Sequence, residues 1–174
     1  MEIRTALPAD IPDIQAIYGH HVLHGAGTFE EVPPSVEEMV ERYDATLRMQ
    51  CAFLVATDAT DATGVLGYAY YNPYRARSAY RYTAETSIYV RDDVRGQGVG
   101  KALVAALLSH AEAAGYRQMV AVIGDSENVG SIGVHSSLGF QRAGLLRASG
   151  LKFGRWVDTV YMQRALGRGD ADVP

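Results

Sequence analysis

A chain of 174 residues, 48% apolar and 21% charged, has the size and balance of one globular domain with a sizeable core. A formal net charge of −4 without any long basic run weighs against nucleic acid as a partner. No stretch approaches the roughly 18 apolar residues of a membrane span, the start Met1-Glu2-Ile3-Arg4-Thr5 lacks the apolar core of a signal peptide, and the single Cys51 can form no internal disulfide, so a soluble cytoplasmic protein is expected.

Glu2–Thr5 reads as a short strand, and Pro8-Ala9-Asp10 leads into a helix with Ile11, Ile14, Ile17 and Tyr18 at helical spacing. Val32-Pro33-Pro34-Ser35 interrupts the chain. Ser35 with Glu38 three residues on forms a capping box, and a second helix follows to about Met49. Cys51 opens an apolar run and is expected to be a buried structural thiol. Two strands come next, at about 52–56 and 65–71, joined by a small polar hairpin loop at 57–64. A Tyr- and Arg-rich connection, 72–82, precedes a central strand at about Thr83–Val90. The apolar helix from Gly98 to about Ala114 stops at Gly115, a good C-terminal cap. Met119–Ile123 is wholly apolar, as in a strand buried on both faces. Asn128–Leu138 is a short helix, 141–147 and 156–163 are the final strands, and 167–174 is a tail expected to fray. The order predicts one α/β (α+β) domain over residues 1–166, a mixed central sheet of about seven strands flanked by helices.

Between the central strand and its following helix lies Arg95-Gly96-Gln97-Gly98-Val99-Gly100. A glycine-rich turn opening a helix aims free N–H groups and the positive end of the helix dipole at one point, which suits phosphate. The ATP-binding pattern G-x-x-x-x-G-K-[ST] does not fit, because Arg95 stands at its first glycine and Ala102 at its hydroxyl. The dinucleotide pattern G-x-G-x-x-G fails as well, starting at Gly96 and Gly98 but ending on Lys101.

What remains, R-x-x-G-x-G after a strand and at a helix start, resembles the pyrophosphate loop of the Gcn5-related N-acetyltransferases (GNAT), which bind acetyl-CoA. The element order is similar to theirs from end to end. Tyr82-Thr83-Ala84-Glu85-Thr86-Ser87-Ile88-Tyr89-Val90, Ala121-Val122-Ile123-Gly124, Ser131-Ile132-x-Val134-His135 with Leu138-Gly139-Phe140, and Lys152-x-Gly154-x-Trp156-x-Asp158 occur in order. With Thr28-Phe29-Glu30 and Pro33-Pro34-Ser35 they resemble the phosphinothricin and methionine sulfone N-acetyltransferases, over about residues 2–163.

The resemblance implies a set of roles. The N–H groups of Gly96, Gln97, Gly98, Val99 and Gly100 would hold the pyrophosphate, with charge from Arg95 and Lys101. Main-chain groups of Ile88, Tyr89 and Val90 would hold the pantetheine arm, one N–H serving as oxyanion donor. Asn128 and Ser131 would add cofactor contacts, although Asn128 equally suits a helix N-cap before Val129. Glu85 stands in an otherwise uncharged strand, where desolvation raises a carboxylate towards the range of a base. The resemblance puts the general base there, acting directly or through water; an ion pair with Arg77 or Arg81 is the alternative. His135 occupies a position where many members carry a tyrosine close to the CoA sulfur as general acid. An imidazolium is a stronger acid than a phenol, and a role as base stays open.

Seven of the eleven tyrosines fall between Tyr68 and Tyr89, and Arg75 and Arg77 lie among them. Arginine clamps a carboxylate or phosphinate with two hydrogen bonds, while two surface arginines are the plain alternative. The resemblance adds Ala76, Thr86, Ser87, Phe29 and Glu30 as acceptor contacts. Trp156 and Asp158 are open between pocket lining, a dimer contact and, for Trp156, packing. His20, His21 and His24 carry no metal motif and suggest a helix surface, so no metal is expected. Together these imply acetyl-CoA as co-substrate and transfer to the α-amine of phosphinothricin, methionine sulfoximine or methionine sulfone in a ternary complex. The small-molecule amine is the only partner expected besides a second copy in a homodimer. Other acceptors are an ordinary amino acid, a polyamine or a protein N-terminus; a polyamine site would be acidic, and residues 71–82 hold no acid. A non-catalytic acyl-CoA sensor is the third possibility, and it would need neither Glu85 nor His135.

Overall fold

The structure, a computed structural model, describes residues 1–58 and 64–174. The hairpin loop expected at 57–64 falls largely on 59–63, outside the described residues. In chain order the elements are β1 (Glu2–Thr5), α1 (Ile11–His24), α2 (Val36–Arg48), β2 (Phe53–Thr57), β3 (Val65–Pro73), β4 (Thr83–Val90), α3 (Val99–Ala113), β5 (Gln118–Gly124), α4 (Val129–Ser137), β6 (Gln141–Lys152) and β7 (Arg155–Ala165). The strands form one sheet in the order β1-β2-β3-β4-β5-β7-β6. Only β4 and β5 run parallel, and α3 is the crossover a parallel pair requires.

Helices cover both faces and create two core layers. On one face α3 buries Val99, Leu103, Val104, Leu107, Leu108 and Ala111 against Ala69, Tyr71, Ala84, Met119 and Ala121. Val134 and Leu138 of the α4 region pack on the same layer. On the other face Ile11, Ile14, Ile17, Tyr18 and Val22 of α1, with Met39 and Tyr43 of α2, bury Phe53, Val55, Val65 and Tyr68. Each fully buried side chain of this size contributes about 1.5–3 kcal/mol. The helix ends follow the sequence: Ser35 Oγ accepts from Glu38 N–H at 3.2 Å while Glu38 Oε2 accepts from Ser35 N–H at 2.7 Å. Gly98 starts α3 at φ +84°, and Gly115 ends it at φ +87°, both in the left-handed region that glycine tolerates.

Three sequence expectations need correction or extension. β5 is not buried on both faces: Met119, Ala121 and Ile123 are buried, but Val120 and Val122 are half-buried. The reason is that α1 and α2 pack over β2, β3 and β4 rather than over β5. The last hairpin is much longer than expected. β6 runs on past a break in register between Leu146 and Gly150, where Ala148 has φ +50°, and turns at Phe153-Gly154, both at positive φ. The segment 167–174, expected to fray, carries turns, and Asp172 accepts from Arg117 at 3.0 Å and Arg168 at 2.8 Å. Cys51 is buried, with Sγ 3.7 Å from the Tyr116 hydroxyl, and burial pushes its thiol up. No helix among the described residues is long and apolar enough to cross a membrane.

One ion pair ties β1 to the start of α1. Arg4 donates to both carboxylate oxygens of Asp10 at 2.7 and 2.8 Å, and Leu7 N–H donates to Asp10 at 2.7 Å. Hydrogen bonding from Arg4 holds the Asp10 carboxyl below its ordinary value of 3.8. A depressed carboxylate stabilises the fold above its unfolded pKa and loses that contribution as pH falls through the folded value. Asp10→Asn is expected to cost about 2 kcal/mol at pH 7, or about 4–8 °C in Tm, and to remove this part of the acid dependence. Thermal melts of both proteins from pH 7 to pH 3 check it; parallel curves would contradict it.

Candidate active site

The sheet opens at its centre. β4 pairs with β5 only from Thr83↔Gln118 to Thr86↔Ala121, after which the strands part. β5 stays with β7 as far as Gly124↔Thr159, and β4 stays with β3 as far as Val90↔Gly67. Each strand therefore presents an unpaired edge to the gap. Thr83 carbonyl accepts from Tyr74 N–H, and Arg91 N–H donates to Leu66 carbonyl, so odd-numbered residues of β4 bond to β3. By the alternation of an antiparallel ladder, the main-chain groups of Ile88 and Val90 face the gap, whereas those of Tyr89 are used by β3. Of the three residues expected to hold the pantetheine, Tyr89 is thus not available through its main chain.

His21, expected on a helix surface, instead donates from Nε2 to the Val90 carbonyl at 2.9 Å and packs 5.5 Å from the Tyr89 ring. Burial lowers its pKa below 6.5, consistent with a neutral ring. The far side of the gap is closed by the chain after α1. A Cβ on Gly124 would lie 2.4 Å from the Ala26 carbonyl oxygen, so only glycine lets this loop approach β5.

At the end of β4, Gly96 and Gly98 take φ values of +77° and +84° and have nothing within 4 Å of a Cβ position. Residues 95–98 are exposed, and the first-turn N–H groups of Val99, Gly100 and Lys101 have no partner within α3. The Gln97 N–H is turned back to Val94 carbonyl at 3.4 Å, and Arg95 is paired with Asp92 at 2.9 Å. The open cradle is therefore built by Gly96, Gly98 and the first turn of α3, with Lys101 exposed beside it.

Side chains of Glu85, Ser87 and Tyr89 share the α1/α2 face of the sheet with Asn72, Tyr70 and Tyr68 directly opposite on β3. Thr86, expected as an acceptor contact, points to the other face and is buried there. Arg75 lies 3.9 Å from Glu85 and 4.2 Å over the Tyr74 ring. Burial raises the Glu85 carboxyl above its ordinary 4.5, and Arg75 partly opposes this. Arg75 thus takes the position for which Arg77 and Arg81 were considered. Ala76 and Arg77 are exposed. A cavity of about 170 Å³ lies on this face, lined by Tyr18, Met39, Arg42, Phe53, Tyr70 and Asn72. Glu30 reaches it through Arg42, bonded at 2.9 and 3.2 Å, while Phe29 lies against Gly150.

Residues 3–161 match the family model described as an acetyltransferase (GNAT) domain. A phosphinothricin N-acetyltransferase of Alcaligenes faecalis is 47% identical over 99% of this chain and 86% of its own. An L-methionine sulfoximine/L-methionine sulfone acetyltransferase of Pseudomonas aeruginosa is 44% identical over 92% of each chain. Among solved structures, a GNAT superfamily phosphinothricin acetyltransferase of Sinorhizobium meliloti, in complex with AcCoA, superposes with a TM-score of 0.95 at 44% identity, over 99% of this chain and 92% of that one.

The chain belongs to the GNAT acetyltransferase family.

It is an N-acetyltransferase with acetyl-CoA as its co-substrate, and its residues fit that molecule: an open glycine turn at a helix start leads to two strand edges that part at the gap, with the Val90 carbonyl already taken by His21. His135 lies on the α3/α4 face, buried, edge-on to Phe140 at 4.9 Å. Its Nδ1–H donates to Ser131 carbonyl at 2.8 Å, which leaves Nε2 as a buried acceptor without a partner. Burial lowers its pKa, which favours the neutral ring. Asn128 is an N-cap: its Oδ1 accepts from Ser131 N–H at 3.2 Å, and its Nδ2 points to Gly124 carbonyl at 3.4 Å. Trp156 is 66% exposed, opposite Leu151 in the β6–β7 hairpin, while Asp158 accepts from Ser126 and from Ala148 N–H, bracing β7 against the irregular part of β6. Among the described residues, no group of three or more His, Cys, Asp or Glu side chains is gathered as a metal site.

Sequence reasoning about this GNAT chain missed Tyr18, Arg42, Tyr70, Asn72 and Lys152 as neighbours of the site. For Arg42 a partial signal existed: three residues after Met39 and four before Thr46, it flanks the buried stripe of α2 and so can reach the space beneath that helix. Lys152 lies on the final hairpin, and no local pattern links it to residues 25–28.

Proposed function

We propose that the enzyme acetylates the α-amine of a small amino-acid analogue of the phosphinothricin, methionine sulfoximine or methionine sulfone type, by direct attack in a ternary complex. The observation that carries this is a small cavity on the α1/α2 face, walled largely by aromatic rings and bearing Arg42 and Asn72, with Glu85 opposite Asn72 in the β3–β4 register. Its volume of about 170 Å³ equals about six waters at about 30 Å³ each, enough for a small amino acid and too little for a peptide. The cations beside it, Arg42 and Arg75, suit an acceptor with anionic or oxygen-rich ends and disfavour a polyamine. The acceptors named for the similar enzymes have that chemistry.

Acetyl-CoA supplies the acetyl group as a thioester. Gly96, Gly98 and the first turn of α3 bind its pyrophosphate, and Ile88 and Val90 present the main-chain groups for the arm. An N–H of this edge donates to the oxygen where negative charge develops. Glu85 takes a proton from the acceptor ammonium, directly or through water, and its raised pKa makes it a better base than an ordinary carboxylate. The free amine attacks the thioester carbon, the C–S bond breaks, and CoA leaves as a thiolate that takes up the second proton shed by the acetylated nitrogen; His135 serves as a hydrogen-bond acceptor through Nε2. Cys51 is buried with a raised pKa and suits no acyl-carrier role.

A cytoplasmic homodimer completes the proposal. Leu151, Phe153 and Trp156 stand exposed together at the tip of the β6–β7 hairpin, and a second copy would cover them. Initial rates with methionine sulfone and acetyl-CoA varied together test the chemistry. Intersecting reciprocal plots are expected for direct transfer; parallel lines would point to an acyl-enzyme, and thiol release independent of the sulfone would overturn the acceptor.

A further inference from the structure

Arg42 is the charged side chain in the lining of the acceptor cavity. Its guanidinium is held by both carboxylate oxygens of Glu30, at 2.9 and 3.2 Å, and lies 5.6 Å over the Tyr18 ring. The pair is open to solvent, with side-chain exposures of 43% and 38%, so it separates at little cost. Glu30 is carried on the loop between α1 and α2 and not on a helix or strand. Across the cavity, Asn72 Oδ1 is a buried acceptor with no partner, directly opposite Glu85 in the β3–β4 register. Between the two walls stands Tyr70, which lines the cavity and lies opposite Ser87 in the β3–β4 register. A guanidinium on one wall, with an unsatisfied acceptor and a carboxylate on the other, has the polarity of a bound zwitterion.

We propose that Arg42 binds an oxyanion of the acceptor and that the Glu30 carboxylate is its resident stand-in, displaced when the acceptor enters. This rests on the acetyl transfer proposed above. The geometry leaves Asn72 Oδ1 and Glu85 to receive the ammonium. Acceptor selectivity then has a built-in competitor: an amine without an anionic oxygen cannot replace Glu30 and meets an already satisfied guanidinium.

The two partners make opposite predictions. Arg42→Gln is expected to raise the KM for methionine sulfone about tenfold to hundredfold, by loss of a charge-assisted hydrogen-bond pair, with the KM for acetyl-CoA unchanged. Glu30→Gln is expected to lower the same KM about threefold to tenfold, because an exposed competitor is removed. Structural damage would not produce this gain. Comparing methionine sulfone with its α-carboxamide locates the oxyanion. A penalty in Arg42→Gln that disappears with the amide assigns Arg42 to the α-carboxylate, and one that persists places Arg42 on the neutral sulfone oxygens and overturns the oxyanion assignment. Wild-type turnover with unchanged acceptor KM in both variants would sink this proposal alone. No wild-type turnover of sulfone, sulfoximine or phosphinothricin would sink the acetyl-transfer reading and this proposal with it.

Discussion

Replacing Glu85 by Gln is expected to lower kcat by about 100- to 10,000-fold while leaving acetyl-CoA binding intact, because the cradle and the Ile88–Val90 edge do not involve its side chain. The sign of the pH dependence follows from its environment. Burial raises the Glu85 pKa above 4.5, and the base is active only when ionised. Activity is therefore lost, as pH falls, at a higher pH than an ordinary carboxylate would give. Arg75, 3.9 Å away, acts in the opposite direction, so Arg75→Gln should move this acid limb upwards. Steady-state pH profiles of the wild type, Glu85→Gln and Arg75→Gln check all three statements. A Glu85→Gln enzyme with near wild-type kcat would remove Glu85 from the chemistry.

Lys152→Met is expected to have the largest effect on stability. The Lys152 ammonium is buried, 2% exposed, and donates to the carbonyls of Gly25 and Thr28 at 2.8 and 2.7 Å. These bonds tie the final hairpin to the loop that carries Phe29 and Glu30. Methionine matches the shape but leaves both carbonyls without that donor, a loss of about 3 kcal/mol that corresponds to about 6–12 °C in Tm. Because the same loop touches Gly124 at the gap and bears Glu30, the acceptor KM should move away from the wild-type value as well. Melting curves and acceptor titrations of the variant test this. A variant with wild-type Tm and acceptor KM would show that the loop is held in other ways.

The fold was largely legible in the chain because its signals are local. The capping box at Ser35 and Glu38, the glycines at 98 and 115, and the spacing of Ile11, Ile14 and Ile17 each act within one or two turns. The length of the last hairpin was not legible. Its continuation past Leu146 depends on Asp158, ten residues away, accepting from Ala148 N–H in an irregular stretch. At the site, glycine spacing marked the open turn at Gly96 and Gly98, since that backbone geometry is a property of the loop itself. Thr86 and Tyr89 were harder, because a strand sends neighbours to opposite faces and edges, and the phase comes from its pairing partners. Arg42, Asn72 and Lys152 reach the site from three other elements, so only the assembled tertiary structure brings them there.

The most direct test of the whole account is acetyl-CoA-dependent thiol release by the wild-type enzyme across a set of amines: phosphinothricin, methionine sulfoximine, methionine sulfone, common amino acids, spermidine and a short peptide. The account predicts turnover concentrated on the phosphinate, sulfoximine and sulfone compounds, with product acetylated on the α-amine. Turnover confined to spermidine or the peptide, or CoA binding without turnover of any amine, would contradict it.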